Sequence, residues 1–113
     1  MPYSRAIRKG DVIHVAGTTA VDENGTLIGK GDIGKQSAFI FQKIKNALEQ
    51  LGGKMEDVVR TRVYIVQGAD WQAAAEEHGK AFKGIEPTET LLMISGLVNP
   101  DMLVEIEAEA IVG

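Results

Sequence analysis

Asp32-Ile33-Gly34-Lys35-Gln36-Ser37-Ala38-Phe39-Ile40-Phe41-Gln42-Lys43-Ile44-Lys45-Asn46-Ala47-Leu48-Glu49-Gln50-Leu51-Gly52-Gly53 is the stretch on which the fold turns. Ile33, Ser37, Ile40, Ile44, Ala47/Leu48 and Leu51 recur every three or four residues, while Gln42, Lys43, Asn46, Glu49 and Gln50 fall opposite. That is the stripe of a helix with one packed face. Asp32 can accept a hydrogen bond from a first-turn N–H, and Gly52-Gly53 supplies the left-handed residue that closes a last turn. The pattern predicts a helix of about five turns, bounded at both ends.

Upstream the period is that of strands. Ala6 to Lys9 and Val12 to Ala16 read as two strands joined at Gly10-Asp11, and Asn24-Gly25 is the strongest turn dipeptide, favouring positive φ at both positions. Downstream, Val58 to Val66 is β-branched and aromatic enough for a strand with one packed face and Arg60, Arg62 and Tyr64 on the other. Asp70 then caps a second helix in which Trp71, Ala74/Ala75, His78 and Phe82 share a face. Thr90 to Ile94 and Leu103 to Val112 are the fourth and fifth strands. In the last, Glu105, Glu107 and Glu109 point one way at spacings of roughly 6.5 to 7 Å, and Val104, Ile106, Ala108 and Ala110 point the other. Strands, helix, strand, helix, strands is an α+β order, with both helices on one face of a mixed sheet. The other face needs a cover of its own.

No repeat, linker or low-complexity tract divides the chain, so residues 1–113 are read as one domain. The absence of cysteine excludes disulfides, thiolate metal sites and cysteine nucleophiles, and fits a cytoplasmic setting. No apolar run is long enough to span a membrane, and no export signal is seen. A net charge of -4 and a pI near 5.1 disfavour nucleic acid as a partner. His14 and His78 are the only histidines and lack metal-ligand spacing, so no metal site and no cofactor is expected. His78, on the inward helical face, reads as a hydrogen-bonded packing residue. The serines lack a nucleophile elbow, and Gly29-Lys30-Gly31 lacks the ending of a phosphate loop, reading instead as a turn.

Tyr3-Ser4-Arg5-Ala6-Ile7, Val15-Ala16-Gly17, the run from Asp57 to Tyr64 and the close Leu103-Val104-Glu105-Ile106-Glu107-Ala108 together resemble the Rid (YjgF-like) family of reactive-intermediate deaminases. That family is also labelled L-PSP endoribonuclease or translation initiation inhibitor. The resemblance spans nearly the whole chain. It implies a chorismate-mutase-like fold and a homotrimer around a central β-barrel, with small-molecule pockets at the subunit interfaces. Tyr3 and Gly17 match pocket positions, and Glu105 matches the carboxylate that positions the attacking water or the departing nitrogen.

The match breaks at Glu89, in Pro87-Thr88-Glu89-Thr90, where deaminating members carry an arginine that grips the substrate carboxylate. Ala16 replaces a serine, Ala75 an asparagine, and Arg62 stands where a small residue is usual. At about 4 Å and an effective dielectric near 20, exchanging attraction for repulsion amounts to several kcal/mol, so ordinary 2-imino acids are poor substrates here. Arg-Thr-Arg at 60–62 with Glu77-His78-Gly79 and Leu97-Val98-Asn99-Pro100 resembles branches that lack the arginine. Arg62 has two readings: an ion pair with Glu89 or a neighbouring glutamate, or a replacement anion anchor. The functional expectation is hydrolysis of an imine, enamine or related C–N bond at a site of Glu105, Tyr3, Gly17, Arg62 and Glu89. The alternatives are a non-catalytic metabolite-binding or protein-interaction trimer and, against the charge balance, an endoribonuclease.

Overall fold

The computed structural model describes residues 4–113, so Tyr3 lies outside the described residues. The elements follow the expected order: β1 (Ala6–Lys9), β2 (Val12–Thr18), α1 (Ile33–Gln50), a 3₁₀ turn (Met55–Asp57), β3 (Val58–Val66), α2 (Trp71–Ala81), β4 (Thr88–Ile94) and β5 (Val104–Ile111). The five strands form one mixed sheet in the order β1-β2-β5-β3-β4. Only β3 and β4 run parallel, as a strand–helix–strand crossover through α2 requires.

α1 is closed as its sequence dictates. The Asp32 carboxylate accepts from the Lys35 N–H at 3.0 Å. At the other end Gly53 N–H donates to Leu48 O and Gly52 N–H to Glu49 O, with Gly52 at φ +82, the paired bonds of a glycine-terminated helix. Asp70 caps α2 through the N–H groups of Gln72 and Ala73. The spacing predicts Trp71 on the packed stripe, but its side chain is 45 % exposed and the stripe begins one turn later, at buried Ala74. At Asn24-Gly25 only Gly25 takes positive φ. The Asp22 carboxylate accepts from the Asn24 and Thr26 N–H groups, so the turn expected here forms around an aspartate and needs positive φ at one position only.

Ile13, Val15, Val63, Ile65, Val104, Ile106, Ala108 and Ala110 of the sheet are buried with Ile40, Phe41, Ile44 and Leu48 of α1. Both helices therefore lie on one face. Gln36, fully buried on α1's packed side, donates to Gly29 O and Asp101 O while its own oxygen accepts from Leu103 N–H. It pins the segment that leads into β5. Among the described residues no helix is long and apolar enough to cross a membrane.

Candidate functional site

β5 lies between β2 and β3, and this central position gives its glutamates neighbours on both sides. On the β3 side the register sets Tyr64 opposite Glu105, Arg62 opposite Glu107 and Arg60 opposite Glu109. On the β2 side His14 pairs with Glu109. All these side chains project from the face that the helices leave bare.

Gly17 earns its place through geometry. Between Val15 and Thr18 the β2–β5 register shifts by one residue, so Ala16 and Gly17 form a bulge. A Cβ built on Gly17 would sit 2.6 Å from Glu105 Oε2, which means that the carboxylate rests directly against the Gly17 backbone. Any side chain there would push Glu105 away. The structure thus brings together two of the residues that the sequence singles out.

Glu107 gathers two more. Tyr64 O–H donates to Glu107 Oε1 at 2.5 Å, and Arg62 Nη1 stands 3.6 Å from the same oxygen. That hydrogen bond, more than burial, raises the Tyr64 pKa above its ordinary value, because the phenol loses a strong acceptor's company if it ionises. Arg62 therefore pairs with a neighbouring glutamate and not with Glu89. His14 Nδ1 lies 3.7 Å from Glu109 Oε1. Among the described residues the Arg60 side chain has no ion pair or hydrogen bond. Arg60 and Arg62 flank a groove of about 510 Å³ together with Ile7, His14, Glu107 and Glu109.

Glu89 is elsewhere. β4 begins at Thr88, two residues earlier than expected, and Glu89 pairs with Thr61 in the parallel ladder. Thr61 is fully buried under the helices, so Glu89 projects to the covered side, opposite to Arg62 and Glu105. There Glu89 Oε2 lies 3.6 Å from His78 Nε2, which is 2.8 Å from Thr61 Oγ1. Burial pushes the His78 pKa down, against a smaller upward pull from Glu89. Within one chain the two carboxylates Glu89 and Glu105 do not converge on one pocket. Tyr64, which shares strand parity with Arg62, joins the cluster on the bare face through Glu107, a partner that lies 43 residues away in the chain.

Residues 1–112 match the family described as Endoribonuclease L-PSP. A RutC family protein of Pyrococcus abyssi is 36 % identical over 96 % of this chain and 85 % of its own length. The 3-aminoacrylate deaminase RutC of Acinetobacter baylyi is 30 % identical over 96 % of this chain and 86 % of its own length. Among solved structures, a YjgF/YER057c/UK114 family member from Mycobacterium tuberculosis superposes with a TM-score of 0.86 at 39 % identity, covering 97 % of this chain and 86 % of that one. With the same α+β arrangement, and with sequence likeness over nearly its full length, the chain belongs to the YjgF/Rid family, the family of the Endoribonuclease L-PSP domain.

Proposed function

We propose that this protein hydrolyses an imine, enamine or related C–N bond of a small molecule, in pockets completed by a second copy of the chain within a homotrimer. The observation that carries the reading is the Glu105 carboxylate seated on the bare backbone of Gly17. A carboxylate so placed can take a proton from water as the oxygen adds to the C=N carbon and pass it to nitrogen, then carry the hydroxyl proton to the nitrogen as ammonia leaves and the carbonyl forms. A relative of similar length is a 3-aminoacrylate deaminase, which supports a C–N substrate.

Self-association is supported by the uncovered sheet face, where Ile7, Leu92 and Ile111 are exposed apolar side chains among the charged rows. The resemblance matches Glu89 to the arginine with which deaminating members hold the substrate's carboxylate, and the missing guanidinium argues against ordinary 2-imino acids. A net charge of -4 speaks against RNA as the substrate.

The test is a coupled assay in which 2-aminoacrylate, other enamines and several imino acids are generated in situ, with sedimentation to follow assembly. Wild type should release ammonia from at least one of them, and Glu105→Gln should lose about 10²–10⁴-fold in turnover while keeping its oligomeric state. Undiminished turnover in Glu105→Gln would sink the assignment. Saturable ligand binding without product would favour a binding protein instead.

A further inference from the structure

The charged rows on the uncovered face are unequal in one respect: the two guanidiniums are held less closely than the Glu107 carboxylate. Glu107 Oε1 already takes the Tyr64 hydroxyl at 2.5 Å, and Glu109 has His14 at 3.7 Å. Arg62 reaches Glu107 only at 3.6 Å, longer than a hydrogen bond, so its fork of N–H donors is unspent. The Arg60 side chain, one row along β3, makes no polar contact among the described residues. Both line the same open groove of about 510 Å³.

From this arrangement we infer that the groove is a carboxylate site, with Arg60 and Arg62 gripping the acid end of a ligand. The inference rests on the proposed reaction at Glu105 and adds the class of substrate. Two guanidiniums face two carboxylates, Glu107 and Glu109, so the groove has little net field and selects through directed, bidentate hydrogen bonds. A planar monoanion suits such a site. A phosphate dianion meets the repulsion of both glutamates.

Register then sets the ligand's length. Glu105 stands in the Tyr64 row, Arg62 one row on and Arg60 two rows on. Alternate residues of a strand are roughly 6.5 to 7 Å apart. A carboxylate held between the two arginines is therefore several bonds from a C–N carbon at Glu105, whereas in a 2-imino acid the two carbons are bonded directly. The substrate class is a small acid whose amine- or imine-bearing carbon is separated from its carboxylate by a short chain.

Calorimetric titration of the full chain with glycine, 4-aminobutanoate, 5-aminopentanoate and inorganic phosphate tests this. The two longer acids should bind saturably and more tightly than glycine or phosphate. Arg60→Met and Arg62→Met should each weaken them by about tenfold or more, the loss of a charge-assisted hydrogen bond. If Arg62→Met fails to fold after losing its Glu107 contact, Arg62→Lys keeps the charge without the fork and should still weaken binding. Equal affinity in the arginine variants, phosphate binding as tightly as the longer acids, or no saturable binding at millimolar ligand would each overturn the inference. The arginine variants are read by binding and Glu105→Gln by turnover, so the carboxylate site and the hydrolytic reading fail independently.

Discussion

Strand β3 presents Thr61, Val63 and Ile65 to the helices and Arg60, Arg62 and Tyr64 to the opposite side, and the two faces of the sheet behave as different materials. On the covered face these side chains are buried, and the polar Thr61 is tolerated because His78 meets its hydroxyl at 2.8 Å. On the uncovered face the residues are half-buried or exposed and their charges are only loosely paired, at 3.6 to 3.7 Å. A loosely paired charge contributes little to folding and stays available to a ligand. Stability and the proposed chemistry divide by strand parity, so a residue's face matters more to its role than its distance along the chain.

The largest test of that division is a pair of truncations at comparable positions. Ile65→Ala removes a fully buried side chain under the helices and should cost about 2–5 kcal/mol in denaturant unfolding. Leu92→Ala, 48 % exposed on the other face, should change chain stability by less than about 0.5 kcal/mol and act on self-association instead. Equal costs would mean that the uncovered face is as tightly packed in solution as the core, and the distinction would collapse.

Gly17→Ala probes the uncovered face alone. The new Cβ would meet Glu105 Oε2 at 2.6 Å, and because that atom ends a flexible side chain the carboxylate moves while the strand stays. Stability should fall by no more than about 1 kcal/mol. Turnover, measured in the coupled assay, should drop about 10²-fold, the cost of misplacing a reacting group by roughly 1 Å. Unchanged turnover would separate Glu105's position from the chemistry.

Much of this architecture was legible because it is local. The caps at Asp32 and Asp70, the glycine stop after α1 and the alternation of β5 each involve residues a few positions apart, and all appear as expected. The resemblance carried Gly17 and Glu105, which the structure places in contact. What the chain hides is non-local. The strand order sets β5 between β2 and β3, so the Tyr64–Glu107 bond depends on residues 43 positions apart and on a register that no periodicity encodes. Bulges beside Gly17 and Val58 shift parity within a strand, so alternation alone misassigns faces there. Glu89 is the sharpest case: with β4 starting at Thr88 and running parallel to β3, its side falls with Thr61, away from Arg62.

That placement of Glu89 has the smallest energetic signature and the most specific readout. His78 sits in a cage of aromatic edges, 5.7 Å from the Phe41 ring centroid and 4.8 Å from that of Phe82, and this burial is the main reason its pKa falls below the ordinary histidine value. A histidine depressed in the folded state binds fewer protons than in the unfolded chain, so its contribution to stability is present above about pH 6.5 and is lost as the pH falls through the folded value. The nearby Glu89 carboxylate opposes burial by favouring the imidazolium. Glu89→Gln removes that pull, so His78, followed by its imidazole resonances in an NMR titration, should protonate at a still lower pH than in wild type. Acid unfolding of the variant should begin correspondingly earlier, because the neutral amide no longer compensates a charge forming under α2. An unmoved His78 titration would mean that the Glu89 carboxylate spends its time away from the covered face. In the proposed trimer it would then be free to reach a neighbouring copy of the chain, and the division of the sheet into a folding face and a proposed chemical face would have to be redrawn at β4.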